Sequence, residues 1–292
     1  METTSKIYGL IGYPIKHSLS PAMHNAAFKK LKMNALYMLF EKTREEFPAA
    51  VRQLKAMKVR GFNVTVPYKE EIIPYLDGLD EQARQIGAVN TVVNRKGGFI
   101  GYNTDAPGFI ASLKEDLDCV PQNKNIFIIG AGGAARAIGF ALAKEKAKTI
   151  VFCDCLAEKA KRLSKDIKGI FPDCLVSSVT SPIDCQLSWA GTRPAPTIDL
   201  LVNASNCGMK PGDPLPIDPK ILPAGIRIYD IIYNPSPTKL VKESGRKRIK
   251  AVNGLGMLLR QGTAAFEIWT NKKAPVELMR QALLKAINGK PH

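Results

Sequence analysis

Ile126-Phe127-Ile128-Ile129-Gly130-Ala131-Gly132-Gly133-Ala134-Ala135 is the stretch on which the fold reading turns. Four apolar residues make a buried strand, and a glycine-rich turn leads at once into an alanine-rich helix. Gly130 permits the tight turn, and Gly132 lets the backbone come close to a pyrophosphate. Gly133 and Ala135 let the helix lie against the sheet. The free N–H groups at the helix start then meet the phosphates. Gly130, Ala131, Gly132, Gly133 and Ala134 are therefore candidate cofactor-binding residues. The next strand, Thr149–Cys153, falls at the distance a βαβ unit needs, and Asp154 stands at its end, about 20 residues past the last glycine. A carboxylate there can bond both ribose hydroxyls of NAD and would repel the 2′-phosphate of NADP. It can equally cap the following helix, and Lys159, Lys161 and Arg162 just beyond can offset the repulsion. The cofactor is thus NAD or NADP, with Asp154 leaning towards NAD.

Working outward, apolar runs of four to six residues alternate with helical patterns, the mark of βαβ units and a parallel sheet. The first unit has strands at Ile7–Ile11, Leu36–Phe40, Gly61–Val66, Ala88–Val93 and Phe99–Tyr102. Ser20 is placed as an N-cap with Pro21 at the first helical position, the helix running to about Leu31. Thr43 and Glu46 form a candidate capping box for a helix reaching Met57. The second unit has further strands at Cys174–Ser177, Asp199–Val202, Arg227–Ile231 and Arg248–Ala251. Ser181–Thr197 reads as loop or short helix, and proline-rich Pro211–Pro223 as loop. Helices at Gly256–Thr270 and Pro275–Ile287 close the chain and can pack on either unit. The fold class is α/β: an N-terminal α/β domain with a mainly parallel sheet, joined to a dinucleotide-binding domain.

The chain has 292 residues, with 42 Lys and Arg against 26 Asp and Glu, a formal net charge of +16. That excess invites a nucleic-acid reading, but the basic residues are spread along the chain, the densest run being Lys242–Lys250. Attraction for anionic small molecules is the expectation, so neither nucleic acid nor membrane is an expected partner. The N-terminus lacks the apolar core of a secretory signal, and no apolar run approaches membrane-spanning length, so a cytoplasmic protein is expected. Cys119, Cys153, Cys155, Cys174, Cys185 and Cys207 are scattered, with no paired zinc spacing, and are expected as free thiols. No metal constellation is seen.

Polar residues cluster in three further motifs at strand ends and in the following loops, where ligands bind in α/β sheets. These are Gly12-Tyr13-Pro14-Ile15-Lys16-His17-Ser18-Leu19-Ser20-Pro21, Asn63-Val64-Thr65-Val66-Pro67-Tyr68-Lys69, and Gly101-Tyr102-Asn103-Thr104-Asp105, with Gly87-Ala88-Val89-Asn90-Thr91 before the last. Downstream come Asn203-Ala204-Ser205, Tyr229-Asp230-Ile231-Ile232-Tyr233-Asn234-Pro235 and Gly254-Leu255-Gly256-Met257-Leu258-Leu259-Arg260-Gln261. In this order the motifs resemble the shikimate dehydrogenase family over nearly the whole chain. The tract around Trp269 also resembles the related quinate/shikimate dehydrogenases.

The resemblance implies a substrate domain at 1–107 and 256–292, a Rossmann cofactor domain at 108–255, and a cleft between them. It implies reversible reduction of 3-dehydroshikimate to shikimate in aromatic amino acid biosynthesis, by a monomer or homodimer. It puts Ser18 and Ser20 on the substrate carboxylate. Asn63, Thr65, Asn90 and Gln261 are implied to hold ring hydroxyls, with Tyr233 nearby. Asn203 and Gly254 join the cofactor-binding set, and Lys69 and Asp105 become the catalytic pair.

Those residue types suit the chemistry independently. Delivering hydride to a ketone builds negative charge on oxygen, and Lys69 can be both proton donor and cation. Asp105 would orient the ammonium and hold its charge, against burial that favours the neutral amine. Plain alternatives stand beside these roles. Lys69, without its motif, is an ordinary surface lysine at a helix start, and Asp105 or Ser20 can be only an N-cap. Asn63 and Asn90 can satisfy loop backbone, while His17 and His24 read as structural. Two other functions remain open: a quinate or dual-specificity enzyme preferring NAD, and a non-catalytic anion- or nucleic-acid-binding protein.

Overall fold

Strands and helices alternate along most of the chain, as the sequence pattern requires. The computed structural model describes residues 5–181, 198–210 and 212–289. Its chain divides into two units, Met1–Asp105 with Leu259–His292, and Ala106–Leu258. Most of the segment read as loop or short helix, 182–197, lies outside the described residues, as does Cys185. Cys119, Cys153, Cys155, Cys174 and Cys207 form no disulfide among the described residues.

The first unit holds β1 (Lys6–Gly12), α1 (Ser20–Lys30), β2 (Ala35–Glu41), α2 (Phe47–Ala56), β3 (Gly61–Val64), β4 (Gly78–Leu79) and α3 (Glu81–Ile86). After them come β5 (Thr91–Arg95) and β6 (Gly98–Tyr102). The six strands form one sheet in the order β2-β1-β3-β5-β6-β4. β1 runs parallel to β2 and β3, whereas β5 is antiparallel to both β3 and β6. The reversal has a local cause. Lys96 (φ 53°) and Gly97 (φ 93°) make a two-residue connection with both φ positive, the type I′ geometry that closes a hairpin. Asn94 Oδ1 accepts from the Gly97 N–H at 2.9 Å. This corrects the expected strand at Ala88–Val93: pairing begins at Thr91, and residues 88–90 form the approach to it.

Two helix starts also differ from expectation. Leu19, not Ser20, is the N-cap of α1; Ser20 and Pro21 are its first two residues, and no side chain caps it. Instead the Ser20 N–H leans on Ser18 Oγ at 3.3 Å. At α2 half of the capping box forms, with Glu46 Oε2 accepting from the Thr43 N–H at 2.9 Å, while Glu46 itself is the N-cap.

One face of this sheet packs Phe47, Val51, Phe62, Val64, Tyr68, Val92 and Phe99. An aromatic cluster of Tyr8, His24, Phe28, Tyr37, Phe266 and Trp269 is built from α1, the sheet and α8 (Leu255–Thr270). Trp269 Nε1 donates to the Val92 carbonyl at 2.9 Å. A Cβ at residue 61 would come within 2.3 Å of the Trp269 ring, so this packing needs Gly61. α9 (Val276–Asn288) packs against α1. The final helices, which the sequence could assign to either unit, thus join the first from Leu259 onward.

The second unit holds most of α4 (Asp105–Leu117), then β7 (Asn125–Ile129), α5 (Gly133–Lys144), β8 (Thr149–Cys153), α6 (Ala157–Ile170), β9 (Leu175–Val179), β10 (Leu200–Asn203), β11 (Arg227–Asp230), α7 (Lys239–Arg246) and β12 (Lys250–Asn253). Its sheet has the order β12-β11-β10-β7-β8-β9 and is parallel throughout. Apolar strands buried on both faces suit this arrangement. From β7 the chain winds to β9 on one side and resumes at β10 on the other. The strand order therefore reverses between β7 and β10, and the carboxyl ends there form the switch point where such sheets bind ligands.

Candidate functional site

At the carboxyl edge of the first sheet, β3 delivers Asn63, the turn after it delivers Thr65 and Lys69, and the loop before β5 delivers Asn90. β6 runs into Asn103, Thr104 and Asp105, the last being the first residue of α4. Lys69 Nζ lies 2.6 Å from Asp105 Oδ2, with side-chain exposures of 14% and 7%. A pair this sheltered feels little solvent screening, and breaking one partner would strand the other charge. Asp105 Oδ1 accepts from Asn90 Nδ2 at 2.9 Å, and the Asp105 N–H donates to Asn103 Oδ1 at 3.1 Å. Both carboxylate oxygens are therefore held, one by an amide and one by the ammonium. The start of α4 adds favourable helix-dipole charge.

Asn90 is 2% exposed, and its amide is spent within the protein. Nδ2 serves Thr104 Oγ1 and Asp105 Oδ1, with Gln261 Oε1 more distant at 3.4 Å; Oδ1 accepts from the Thr104 N–H at 2.7 Å and from Thr91 Oγ1 at 3.1 Å. The geometry thus makes Asn90 first of all the holder of Asp105. Asn63, 5% exposed, donates to the Asn90 carbonyl and to Thr91 Oγ1, both at 3.1 Å, and accepts from Tyr37 Oη at 2.7 Å. Thr65 is half-buried, its N–H bonded to the Ile11 carbonyl at 3.0 Å. Gln261 is buried on α8.

Ser18 is half-buried in the loop after β1, and Ser20 is buried beside it. The loop is clamped by Glu41, whose Oε2 accepts from the Ile15 and Lys16 N–H groups at 2.8 and 3.1 Å. Lys16 itself is 80% exposed, 3.7 Å from Glu41 Oε1.

In the second unit the glycine turn sits where the strand order reverses. Gly130 has φ +110°, and a Cβ there would lie 2.8 Å from the Ala204 carbonyl at the end of β10. Gly132 is extended and is the N-cap of α5, with no side-chain cap; a Cβ on it would meet nothing within 4 Å. Open space beside the glycine at the start of a helix suits a pyrophosphate. The residues therefore fit a dinucleotide. Asp154 Oδ2 accepts from the Ala131 N–H and Oδ1 from the Leu156 N–H, each at 2.8 Å. Its carboxylate ties the glycine turn to the β8 end; it does not cap α6, whose N-cap is Leu156 with no side-chain cap.

Asn203 is fully buried: Nδ2 donates to the Cys207 carbonyl and Asp230 Oδ1, and Oδ1 accepts from the Ser205 N–H and hydroxyl. As a cofactor residue it can act through its backbone and through the turn it shapes, not through its amide. Asp230 is pushed up from the usual carboxylate range by burial, against bonds from Thr238, Ile232 and Asn203 that favour its charge. A Cβ at Gly254 would lie 1.9 Å from the Ile231 carbonyl, so only glycine lets the chain turn into α8. Tyr233 lies half-buried shortly after β11.

The model of the shikimate dehydrogenase substrate binding domain matches residues 10–92, and that of the shikimate 5′-dehydrogenase C-terminal domain matches residues 254–284. A shikimate dehydrogenase (NADP(+)) of Carboxydothermus hydrogenoformans is 44% identical over 281 residues, 96% of each chain. The chain belongs to the shikimate dehydrogenase family. A solved shikimate dehydrogenase in complex with NADP+ is 39% identical with a TM-score of 0.85, the match covering 97% of this chain and 96% of that one. The shikimate 5-dehydrogenase of Listeria monocytogenes, in complex with shikimate and NAD, is 36% identical with a TM-score of 0.83 over 96% of each chain.

Against this family background, sequence reasoning missed four supporting residues. Thr91 and Thr104 close the hydroxyl network around Asn90, Glu41 clamps the serine loop, and Tyr37 bonds Asn63. Thr91 and Thr104 each follow an asparagine inside the polar motifs, and that adjacency is the local signal of their role. Tyr37 and Glu41 sit in an apolar strand with no local signal of a partner 26 residues away.

Proposed function

We propose that this protein is a shikimate dehydrogenase interconverting 3-dehydroshikimate and shikimate, with NADP as cofactor, in aromatic amino acid biosynthesis. The observation that carries the reading is the sheltered Lys69 Nζ–Asp105 Oδ2 contact of 2.6 Å. The bound nicotinamide cofactor supplies the hydride in reduction and accepts it in oxidation. In the reductive direction Lys69 donates a proton to the substrate oxygen as negative charge grows there, and in the oxidative direction it accepts that proton. Asp105 is the only partner of the ammonium among the described residues. That leaves two of the three N–H donors for substrate. Asn90 keeps Asp105 turned towards Lys69. Asn63, Thr65 and Gln261 hold ring hydroxyls, and Ser18 with Ser20 receives the carboxylate in the loop that Glu41 clamps.

The first unit acts as substrate domain and the second as cofactor domain, with the pyrophosphate against Gly130–Ala134. NADP rather than NAD is supported by the relatives' names and by the engagement of Asp154 with two backbone amides. Quinate is less well supported than shikimate on the same comparisons. Initial rates with shikimate and quinate, each with NADP and NAD, test the assignment. Shikimate with NADP should give the highest kcat/KM; faster turnover of quinate with NAD would overturn the biosynthetic reading.

A further inference from the structure

We propose that Tyr37 is a positioning residue for the substrate reaction: its buried phenol fixes which edge of the Asn63 amide the substrate meets. The inference rests on the reading that Asn63 holds a ring hydroxyl. Asn63 Nδ2 lies 3.1 Å from the Asn90 carbonyl, which can only accept, so the amide nitrogen must face that way. Thr91 Oγ1, also at 3.1 Å, takes the second hydrogen. Oδ1 is then turned towards Tyr37 Oη at 2.7 Å, and the phenol must be the donor.

Both amide hydrogens are used, and so is one lone pair of Oδ1. What remains is a single acceptor site. A substrate hydroxyl that donates is accommodated, whereas a carbonyl or ether oxygen in its place would face another acceptor. That is a specificity filter, because an unpaired polar group in a sheltered site is costly.

Tyr37 is itself held on every side. The Asn25 side chain bonds its backbone twice, from Nδ2 to the Tyr37 carbonyl at 3.1 Å and from the Tyr37 N–H to Oδ1 at 2.8 Å. Its ring stacks on His24 with centroids 4.5 Å apart and an interplanar angle of 12°. Trp269 lies at 6.1 Å. α1, β2 and α8 therefore fix the phenol before substrate arrives. Without it, two bonds of 3.1 Å are left to resist a half-turn of the amide that would exchange donor and acceptor.

The test is Tyr37→Phe, which removes one oxygen and keeps the ring in its stack. The KM for shikimate should rise roughly 5- to 30-fold, with kcat within about twofold. The KM for NADP should stay near that of the parent enzyme, and the melting temperature should fall by no more than the few degrees that one lost buried hydrogen bond costs. Asn63→Ala should also raise the KM for shikimate, and adding Tyr37→Phe to it should cost nothing more, since the phenol acts through the amide. An unchanged KM in Tyr37→Phe beside a raised one in Asn63→Ala overturns the inference, as do effects that multiply in the double variant. A rise in the NADP KM together with a larger fall in melting temperature would overturn it too, marking Tyr37 as structural only. Should Asn63→Ala leave the shikimate KM untouched, the reading of Asn63 fails and takes the positioning role with it.

Discussion

Lys69 stands 2.6 Å from a carboxylate whose second oxygen is already committed to Asn90. This arrangement separates two jobs that a lone lysine would have to share. Asp105 aims the ammonium, and the Asn90 amide keeps Asp105 from turning away. The cost of removing the lysine therefore falls on the chemical step rather than on binding. In Lys69→Ala, kcat should drop by about 10²–10⁴-fold, the usual scale of general acid–base help, while the KM for shikimate changes far less. Steady-state kinetics with shikimate and NADP measure the split. A variant that turns over at near the parent rate would remove Lys69 from the role of proton donor. Hydroxyls and amides that only hold the ring should show the opposite pattern, with KM moving and kcat staying.

The glycine turn between β7 and α5 is the element whose chemistry was most legible in sequence, because its signals are local. A four-residue apolar strand, glycines at the turn and small residues in the helix all lie within ten positions, and β8 fell where expected. Asp154 was legible as a residue but not as a contact. Its bonds to the Ala131 and Leu156 N–H groups make it a brace of the turn. Asp154→Ala should strip the part-buried Ala131 N–H and the exposed Leu156 N–H of their acceptor and lower stability by about 1 kcal/mol. It should also raise the KM for NAD and NADP alike, because the turn proposed to receive the pyrophosphate loosens. A stable Asp154→Ala variant whose preference swings more than about tenfold towards NADP would instead mark the carboxylate as the ribose reader. Elements built on non-local pairing were harder to read. The β5–β6 hairpin turns on Lys96 and Gly97, and a lysine at positive φ carries no turn signal. The two-residue β4 exists only through its pairing with β6. α3 is short, capped by Asp80, whose Oδ1 accepts from the Ala83 N–H, and closed by Gly87 at φ 70°. Six residues show too little periodicity to stand out.

Whole-molecule stability has a pH dependence that can be traced to His24. The imidazole is fully buried, stacked on Tyr37 and packed near Trp269 and Phe28. Neither ring nitrogen has a hydrogen-bond partner among the described residues. Burial without a partner disfavours the charged form, and its pKa is lowered to about 3 from an ordinary 6.5. Above pH 6.5 the ring is neutral in both folded and unfolded chains and contributes no pH slope. As pH falls below 6.5, the unfolded chain takes up a proton that the folded chain refuses. Stability is lost by up to about 1.4 kcal/mol per pH unit. The loss continues until the folded pKa near 3 is reached. Phenylalanine is close in shape to imidazole and cannot ionise, so His24→Phe should remove this component. Urea unfolding at pH 7 and pH 5 reads the effect: the parent should lose about 2 kcal/mol more than the variant over that interval. Equal losses in the two proteins would mean that the aromatic cluster opens to protonation without unfolding, and that the acid sensitivity of the chain lies elsewhere.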